Sequence, residues 1–195
     1  MVDLKEFEQK AADLRVLGMK ISIGQDTVYE KYWDEDCRRN IYSASKSFTS
    51  CAVGFAVQEG LIDLDERLMD AFKEDIPNNP DENLKKATVK DLLTMTLGQE
   101  KGFLMGKQRP RMEEQNWVKA SLAIPFVYEP GTHFVYNNVG PYLAGILVQR
   151  RAGCDLLSYL TPRLLKPLGI RKTIWEVDPE GNTFGAGGLF LTVSE

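Results

Sequence analysis

One β-hairpin followed by a largely helical chain limits the folds that this sequence can adopt. Apolar and polar residues alternate at positions 19–23, residues 24–26 predict a turn, and residues 28–33 have the composition of a second strand. Two strands alone are only marginally stable in water, so the hairpin needs further strands or a covering layer. We therefore expect a sheet that other parts of the fold complete.

Most of the remaining chain shows the apolar spacing of amphipathic helices. The pattern predicts helices at residues 3–15, 43–60, 63–72, 88–97, 113–123, 139–152 and 155–165. Thr88 and Asp91 predict a capping box, and Thr192 with Glu195 predicts a second one. Because no helical sequence follows Glu195 and the hairpin lacks partner strands, we expect the chain to be an N-terminal portion of a longer fold.

Composition and charge exclude several functions. The chain of 195 residues is long enough to bury a hydrophobic core. A net charge of −4 argues against a nucleic-acid partner, and the absence of a long apolar run argues against a membrane span. The single histidine, His133, excludes multi-histidine zinc sites, and any Ser-His-Asp triad would need it. The three cysteines are scattered along the chain, and its first residues do not resemble a signal peptide; both observations favour the cytoplasm. Cys51 is expected in the core.

Ser43 and Lys46 form the strongest candidate pair for nucleophilic chemistry. A serine hydroxyl needs a neighbouring base to become a nucleophile, and residues three apart share one face of a helix. With histidine nearly absent, lysine is the available base, provided that burial or positive potential lowers its pKa. Ser-x-x-Lys is nevertheless a common chance pattern, so a capping serine beside a solvated lysine is the simpler interpretation unless other residues support the pair.

Tyr136 and Asn138 supply that support. They follow a Pro-Gly turn and precede the helix predicted from residue 139, so both belong to a loop-to-helix junction. A phenol can relay a proton, and an amide can hydrogen-bond a substrate carbonyl or the lysine. Alternatively, Tyr136 is a half-buried core aromatic and Asn138 is a helix N-cap, and for Asn138 both interpretations can hold together.

Together with several other segments, these residues resemble the serine β-lactamase and penicillin-binding-protein-like superfamily, particularly its class C β-lactamase, D-alanyl-D-alanine carboxypeptidase and esterase branch. The segments are Ser43-Ala-Ser-Lys46-Ser-Phe-Thr, Glu59-Gly-Leu-Ile-Asp-Leu-Asp65, Thr88-Val-Lys-Asp-Leu-Leu-Thr-Met-Thr96, Glu129-Pro-Gly-Thr-His-Phe-Val-Tyr136-Asn-Asn138, Lys166-Pro-Leu-Gly-Ile170 and Gly185-Ala-Gly-Gly-Leu-Phe190. The resemblance implies an α/β, β-lactamase/transpeptidase-like fold. Such a fold has an antiparallel sheet with flanking helices plus a mostly helical region, and we expect this chain to lack the C-terminal strands.

The resemblance also implies roles for the candidate residues. Ser43 would be the acylated nucleophile, Lys46 its general base, Tyr136 the proton-transferring phenol and Asn138 the amide that orients substrate and lysine. The backbone N–H of Ser43 would form half of an oxyanion hole. The third motif of the family, Lys-Thr-Gly or His-x-Gly, is not found. Residues 171–174 look similar to it, but they lack the glycine and precede the Gly-Gly-Leu segment. The strand of that motif donates the second oxyanion N–H, so we expect half of the hole to be missing.

These implications predict a serine hydrolase that acts on an amide or ester, such as a β-lactam, a D-Ala peptide or a small ester. It would work through a covalent acyl-enzyme, without a metal or organic cofactor. The alternatives are a catalytically silent module that binds a ligand or peptide, and an incomplete fragment that needs further strands. Residues 1–50 would belong to the α/β domain and residues 51–195 to the helical region. The hairpin edge could also mediate self-association.

Overall fold

The structure, a computed structural model, describes residues 4–195. Within these residues the chain forms eight α-helices and four short strands. The helices are α1 (Lys5–Ala11), α2 (Ser45–Gln58), α3 (Leu68–Ala71), α4 (Glu82–Lys86), α5 (Val89–Thr94), α6 (Trp117–Leu122), α7 (Val139–Ala152) and α8 (Leu156–Leu160). The strands are β1 (Gly18–Ile23), β2 (Asp26–Tyr32), β3 (Arg39–Asn40) and β4 (Phe190–Leu191). Short 3-10 segments lie at Tyr42–Ala44 and Arg109–Arg111, and a π-helical turn lies at Thr161–Leu165.

The predicted hairpin is confirmed as the antiparallel pair β1–β2, in which Gly18 lies opposite Tyr32. Gly24 begins the connecting turn with a φ of 61°, a left-handed conformation that glycine adopts without steric cost. The register shifts between Ile21 and Ser22. Within residues 4–195 the hairpin is a sheet of two strands, so neither of its edges pairs with a third strand there.

A second antiparallel pair joins the segment before α2 to residues far along the chain. Arg39 pairs with Leu191, and Asn40 pairs with Phe190. The Ile41 N–H extends this pairing because it donates to the Leu189 carbonyl over 2.9 Å. The β3–β4 pair therefore brings the glycine-rich segment that precedes β4 close to the start of α2.

Helix α7 lies at the centre of the core because it is apolar on nearly every face. Its residues from Val139 to Gln149 are all buried, and α2 and α5 pack against it. Gly140 allows α5 to come close, since a Cβ at this position would lie 2.2 Å from the Leu92 carbonyl oxygen. The packing of α7 thus fixes α2 relative to the loop that precedes α7.

Several helices are shorter than the apolar spacing predicts. Residue 3 of the helix predicted at 3–15 lies outside the described residues, and α1 ends at Ala11 before the chain reaches a left-handed Arg15 with a φ of 54°. Leu14, which lies within the predicted helix, falls beyond the end of α1 and is exposed. The helix predicted at 63–72 is limited to α3, and the sequence pattern missed α4.

Both predicted capping boxes form. Thr88 and Asp91 bond reciprocally at the start of α5. The Thr192 N–H donates to Glu195 Oε2 over 3.1 Å, and the Glu195 N–H donates to Thr192 Oγ1 over 3.1 Å. The Thr-x-x-acid pattern is thus a sufficient sequence signal for both turns. The division into an α/β part at residues 1–50 and a helical part at 51–195 stays a prediction.

Candidate active site

Ser43 lies on a strained turn immediately before α2. It occupies the middle of the 3-10 segment, so the helix predicted from residue 43 begins only at Ser45. The preceding residue, Tyr42, has a φ of 47°, which is an unfavourable backbone conformation for a side chain of this size. The Tyr42 N–H is held by Asn40 Oδ1 over 2.7 Å. This turn leaves Ser43 exposed at the protein surface.

Ser45 holds the turn in place and is a structural serine. Its buried hydroxyl donates to the Tyr42 carbonyl over 2.6 Å and accepts from the Leu189 N–H over 3.1 Å. These bonds connect the turn to the chain just before β4. Of the two serines in the Ser43-Ala-Ser45 segment, only Ser43 is therefore available to a substrate.

The Lys46 ammonium nitrogen lies among three acceptors. Its Nζ is 3.1 Å from Ser43 Oγ, 2.8 Å from Asn138 Oδ1 and 2.6 Å from the Ala186 carbonyl oxygen. Burial lowers the pKa of Lys46 below its ordinary value. The positive charge of Arg109 lowers this pKa further, against the opposing interaction with Tyr136. Both effects favour a lysine that can lose its proton.

Tyr136 contacts Ser43 from the loop before α7. Its hydroxyl donates to Ser43 Oγ over 2.7 Å, and its ring centroid lies 5.2 Å from Lys46 Nζ. Burial raises the pKa of the phenol, but the hydrogen bonds to Ser43 and Lys46 and the lysine charge outweigh it and lower this pKa overall. Because 44% of Tyr136 is exposed, it is not a core aromatic.

Asn138 is oriented by the protein backbone. Its Nδ2 donates to the Leu104 carbonyl over 2.9 Å, which turns Oδ1 towards Lys46. Asn138 occupies the N-cap position of α7, but its side chain makes no capping bond. Asn137 caps instead, since its Oδ1 accepts from the Gly140 N–H over 3.1 Å. The interpretation of the Asn138 side chain as a cap is therefore wrong.

The structure thus brings together all four candidate residues, Ser43, Lys46, Tyr136 and Asn138, although their catalytic roles stay predictions. The contact of the Ala186 carbonyl with Lys46 was not predicted from the sequence, because a backbone acceptor depends on no particular side chain. The glycine-rich segment around Ala186 is the only sequence feature near it. Arg109 was missed as well, since a charge that acts through space has no motif.

Other singled-out residues lie outside this cluster. His133 stacks on the Tyr128 ring at 4.2 Å between centroids and shares a hydrogen bond with Thr132. The predicted core position of Cys51 is wrong, because Cys51 is exposed and lies on the same face of α2 as the exposed residues Ser47 and Gly54. Within residues 4–195, no group of His, Cys, Asp or Glu could hold a metal ion. Nor is any helix in that range both long and apolar enough to cross a membrane.

Comparisons with known proteins show what this chain is similar to. A family model described as Beta-lactamase matches residues 5–189. Monacolin J acid methylbutanoyltransferase of Aspergillus terreus is 31% identical over 157 residues, covering 70% of this chain and 37% of that protein. Lovastatin esterase of Penicillium rubens is 31% identical over 150 residues, covering 66% of this chain and 37% of that protein. The chain thus spans little more than a third of these curated relatives.

One solved structure can be superimposed on nearly the whole chain. The octameric penicillin-binding protein homologue from Pyrococcus abyssi superimposes with a TM-score of 0.74 at 24% sequence identity. The match covers 98% of this chain and 54% of that one. The order of elements around the candidate site is therefore that of a known fold.

Proposed function

Because this chain belongs to the β-lactamase family, we propose that it is a serine hydrolase that cleaves an amide or ester through a covalent acyl-enzyme. The predicted α/β, β-lactamase/transpeptidase-like fold is confirmed by the likeness to the Pyrococcus abyssi structure. One observation carries the proposal: Ser43 Oγ lies within hydrogen-bond distance of both Lys46 Nζ and the Tyr136 hydroxyl. A nucleophile with two adjoining proton-transfer groups is the arrangement that acyl transfer requires.

Lys46 is the general base in this proposal. Two of its three neighbours, Asn138 Oδ1 and the Ala186 carbonyl, can only accept hydrogen bonds. A neutral amine has two N–H groups, which these two acceptors would take up. The remaining lone pair would then point to the Ser43 hydroxyl, ready to receive its proton.

Acylation forms the bond between Ser43 Oγ and the substrate carbonyl carbon while the serine proton moves to Lys46. The backbone N–H of Ser43 is the proposed donor to the resulting oxyanion. When the bond from carbon to the leaving nitrogen or oxygen breaks, the proton passes from Lys46 through Tyr136 to the leaving atom. Asn138 keeps Lys46 in place and offers its amide face to the substrate.

Deacylation reverses these roles with water as the nucleophile. The water gives one proton to the Lys46–Tyr136 pair and bonds to the acyl carbon. The bond to Ser43 Oγ then breaks, Ser43 regains a proton, and the carboxylic acid leaves. All atoms and protons are accounted for without a metal or organic cofactor.

Transfer of the acyl group to an alcohol is a second candidate function. It is favoured by the likeness to the Aspergillus terreus protein, a methylbutanoyltransferase. The chemistry differs only in the second step, where an alcohol replaces water. Adding an alcohol to the assay distinguishes the two, because a transferase would form a new ester in place of the free acid.

The test compares Ser43→Ala with Ser47→Ala, since Ser47 is an exposed serine in the first turn of α2, close to Ser43 in sequence. With a p-nitrophenyl ester and nitrocefin as substrates, we expect Ser43→Ala to lose turnover by about three orders of magnitude or more. Ser47→Ala should match the unaltered protein. Turnover that survives Ser43→Ala would contradict the proposal, and ligand binding without any turnover would favour the silent binding module.

Self-association and a cytoplasmic location remain proposals. The hairpin supports the first, because its strand edges are unpaired within residues 4–195. The Pyrococcus abyssi homologue is itself described as octameric.

A further inference from the structure

Tyr42, the residue before the candidate nucleophile, has a backbone conformation that does not suit its side chain. Its φ of 47° lies in the left-handed region, which glycine and asparagine adopt far more readily than a bulky residue. Either of those residues would allow the same turn with less strain. The local backbone therefore does not explain why a tyrosine stands here.

The turn is held by contacts that do not involve the Tyr42 side chain. Asn40 Oδ1 accepts from the Tyr42 N–H over 2.7 Å, and the Ser45 hydroxyl donates to the Tyr42 carbonyl over 2.6 Å. The buried Ser45 is itself anchored, since its hydroxyl accepts from the Leu189 N–H over 3.1 Å. A Cβ at Gly187 would lie 3.7 Å from the Tyr42 carbonyl oxygen, so this glycine also packs against the turn. Surroundings that fix the backbone in this way can keep a strained residue in place.

The Tyr42 side chain adds nothing to the packing of the fold. It is the most exposed of the large hydrophobic residues within residues 4–195, at 73%. In that part of the chain its ring has no stacking partner and its hydroxyl makes no hydrogen bond. Leu104 shows the opposite arrangement, because it has a φ of 56° but a fully buried side chain whose burial can offset the strain. A strained residue without such an offset points to a role at the site beside it.

The ring of Tyr42 lies next to the place where an acyl group would be attached. Residues 42–44 are all exposed, and Ser43 is the middle one. The Tyr136 hydroxyl, 2.7 Å from Ser43 Oγ, gives its proton to the leaving atom in the proposed mechanism, so the leaving group lies on the Tyr136 side. Ala44 carries a methyl group, and Tyr42 therefore supplies the large apolar surface of this turn.

We propose that Tyr42 is a specificity-determining residue whose ring binds the acyl group of the substrate, and that the preferred substrates are esters or amides of aromatic acids. The inference rests on the proposed function, in which Ser43 carries the acyl group. Two aromatic rings in contact are stabilised beyond the apolar area that they bury. An aromatic acyl group would thus give the Tyr42 ring the contact that the fold does not supply.

The test compares p-nitrophenyl phenylacetate with p-nitrophenyl butanoate, which share a leaving group and differ in the ring of the acyl group. We expect Tyr42→Ala to lower the ratio of kcat/KM for the phenylacetate ester to kcat/KM for the butanoate ester by about fivefold or more. Tyr42→Phe, which keeps the ring, should keep the ratio.

Tyr42→Gly separates the ring from the backbone. It should lower the ratio as far as Tyr42→Ala does, because both variants lack the ring. It should also unfold at a higher urea concentration than Tyr42→Ala, since glycine relieves the strain that alanine retains. A ratio restored in Tyr42→Gly would assign the effect to the backbone and contradict the inference.

Binding of the product acid provides a second measurement, which needs no turnover. Protein labelled with 13C-tyrosine is titrated with phenylacetate, and Tyr42→Phe identifies the NMR signal of Tyr42. Phenylacetate should shift this signal, and butanoate at the same concentration should shift it far less.

An unchanged ratio in Tyr42→Ala, or an equal loss in Tyr42→Phe, would overturn the inference. A Tyr42 signal that phenylacetate does not shift would overturn it as well. Failure of the proposed function has a different signature, namely turnover or acylation that does not depend on Ser43. The NMR titration decides the inference in that case too, because it requires no acylation.

Discussion

At the scale of single residues, Lys46 has more acceptors around it than a neutral amine has protons. Ser43, Asn138 and the Ala186 carbonyl surround Nζ at 2.6 to 3.1 Å. Of these three groups, only the serine hydroxyl can also donate a hydrogen bond. Deprotonation of Lys46 would therefore reverse the direction of the Ser43–Lys46 hydrogen bond and leave the other two bonds unchanged. The site can therefore accept a proton with little rearrangement.

The pH dependence of acylation follows from the lowered pKa of Lys46. In the proposed mechanism the neutral amine of Lys46 is the active form, so the rate of labelling by a fluorophosphonate should rise with pH up to that lowered pKa and level off above it. The rise should therefore lie at lower pH than an ordinary lysine would give.

Lys46→Arg is the matched variant for this profile, because arginine keeps the positive charge but does not lose its proton. We expect its labelling rate to fall by about 100-fold or more across the pH range. A variant with the pH–rate profile of the unaltered protein would rule out Lys46 as the base.

The sequence allowed the four site residues to be predicted because each lies at a recognisable junction. Ser43 and Lys46 are separated by one helical turn, and Tyr136 with Asn138 follows a Pro-Gly turn. It did not allow the true cap of α7 to be chosen, because adjacent asparagines have the same propensity. The charge of Arg109 could not be placed either, since only the folded chain brings it to the site.

At the scale of secondary-structure elements, α7 was predicted with its observed bounds. Its apolar sequence is continuous, and Gly153 ends it in a left-handed conformation with a φ of 68°. The short helices were predicted less well because tertiary contacts shorten them. Arg67, for example, lies inside the helix predicted at 63–72 but forms a β-bridge with Thr88, and α3 begins only at Leu68.

The close contact between α5 and α7 predicts that alanine destabilises the protein at Gly140, whereas alanine at the exposed Gly54 of α2 should stabilise it. Gly140→Ala should lower the free energy of unfolding by about 2 kcal/mol or more, because its Cβ would overlap the Leu92 carbonyl. Gly54→Ala, on the exposed face of α2, meets nothing within 4 Å and should raise it by roughly 0.5 to 1 kcal/mol. Urea denaturation measures both.

If Gly140→Ala is as stable as Gly54→Ala, then α5 and α7 do not pack as closely as described. Both variants place alanine in a helix, so differences in helix propensity do not explain a divergence between them.

At the scale of the whole molecule, the fold joins three segments that are far apart in sequence. Residues 43–46 come from the 3-10 segment and the start of α2, residues 136–138 from the loop before α7, and residues 184–188 from the loop before β4. The order of motifs predicted the first two segments and the fold class. The contact of the third segment with Lys46 depends on the β3–β4 pairing, which no local pattern indicated.

The central claim is that Ser43 becomes acylated, and mass spectrometry after labelling with a fluorophosphonate or a fluorescent penicillin tests it most directly. Trypsin cleaves after Arg39 and Lys46, so the peptide of residues 40–46 holds Ser43 together with the buried Ser45 as an internal comparison. The account predicts one covalent adduct, located on Ser43 by fragmentation and absent in Ser43→Ala. An adduct on another residue, or labelling that persists in Ser43→Ala, would contradict it.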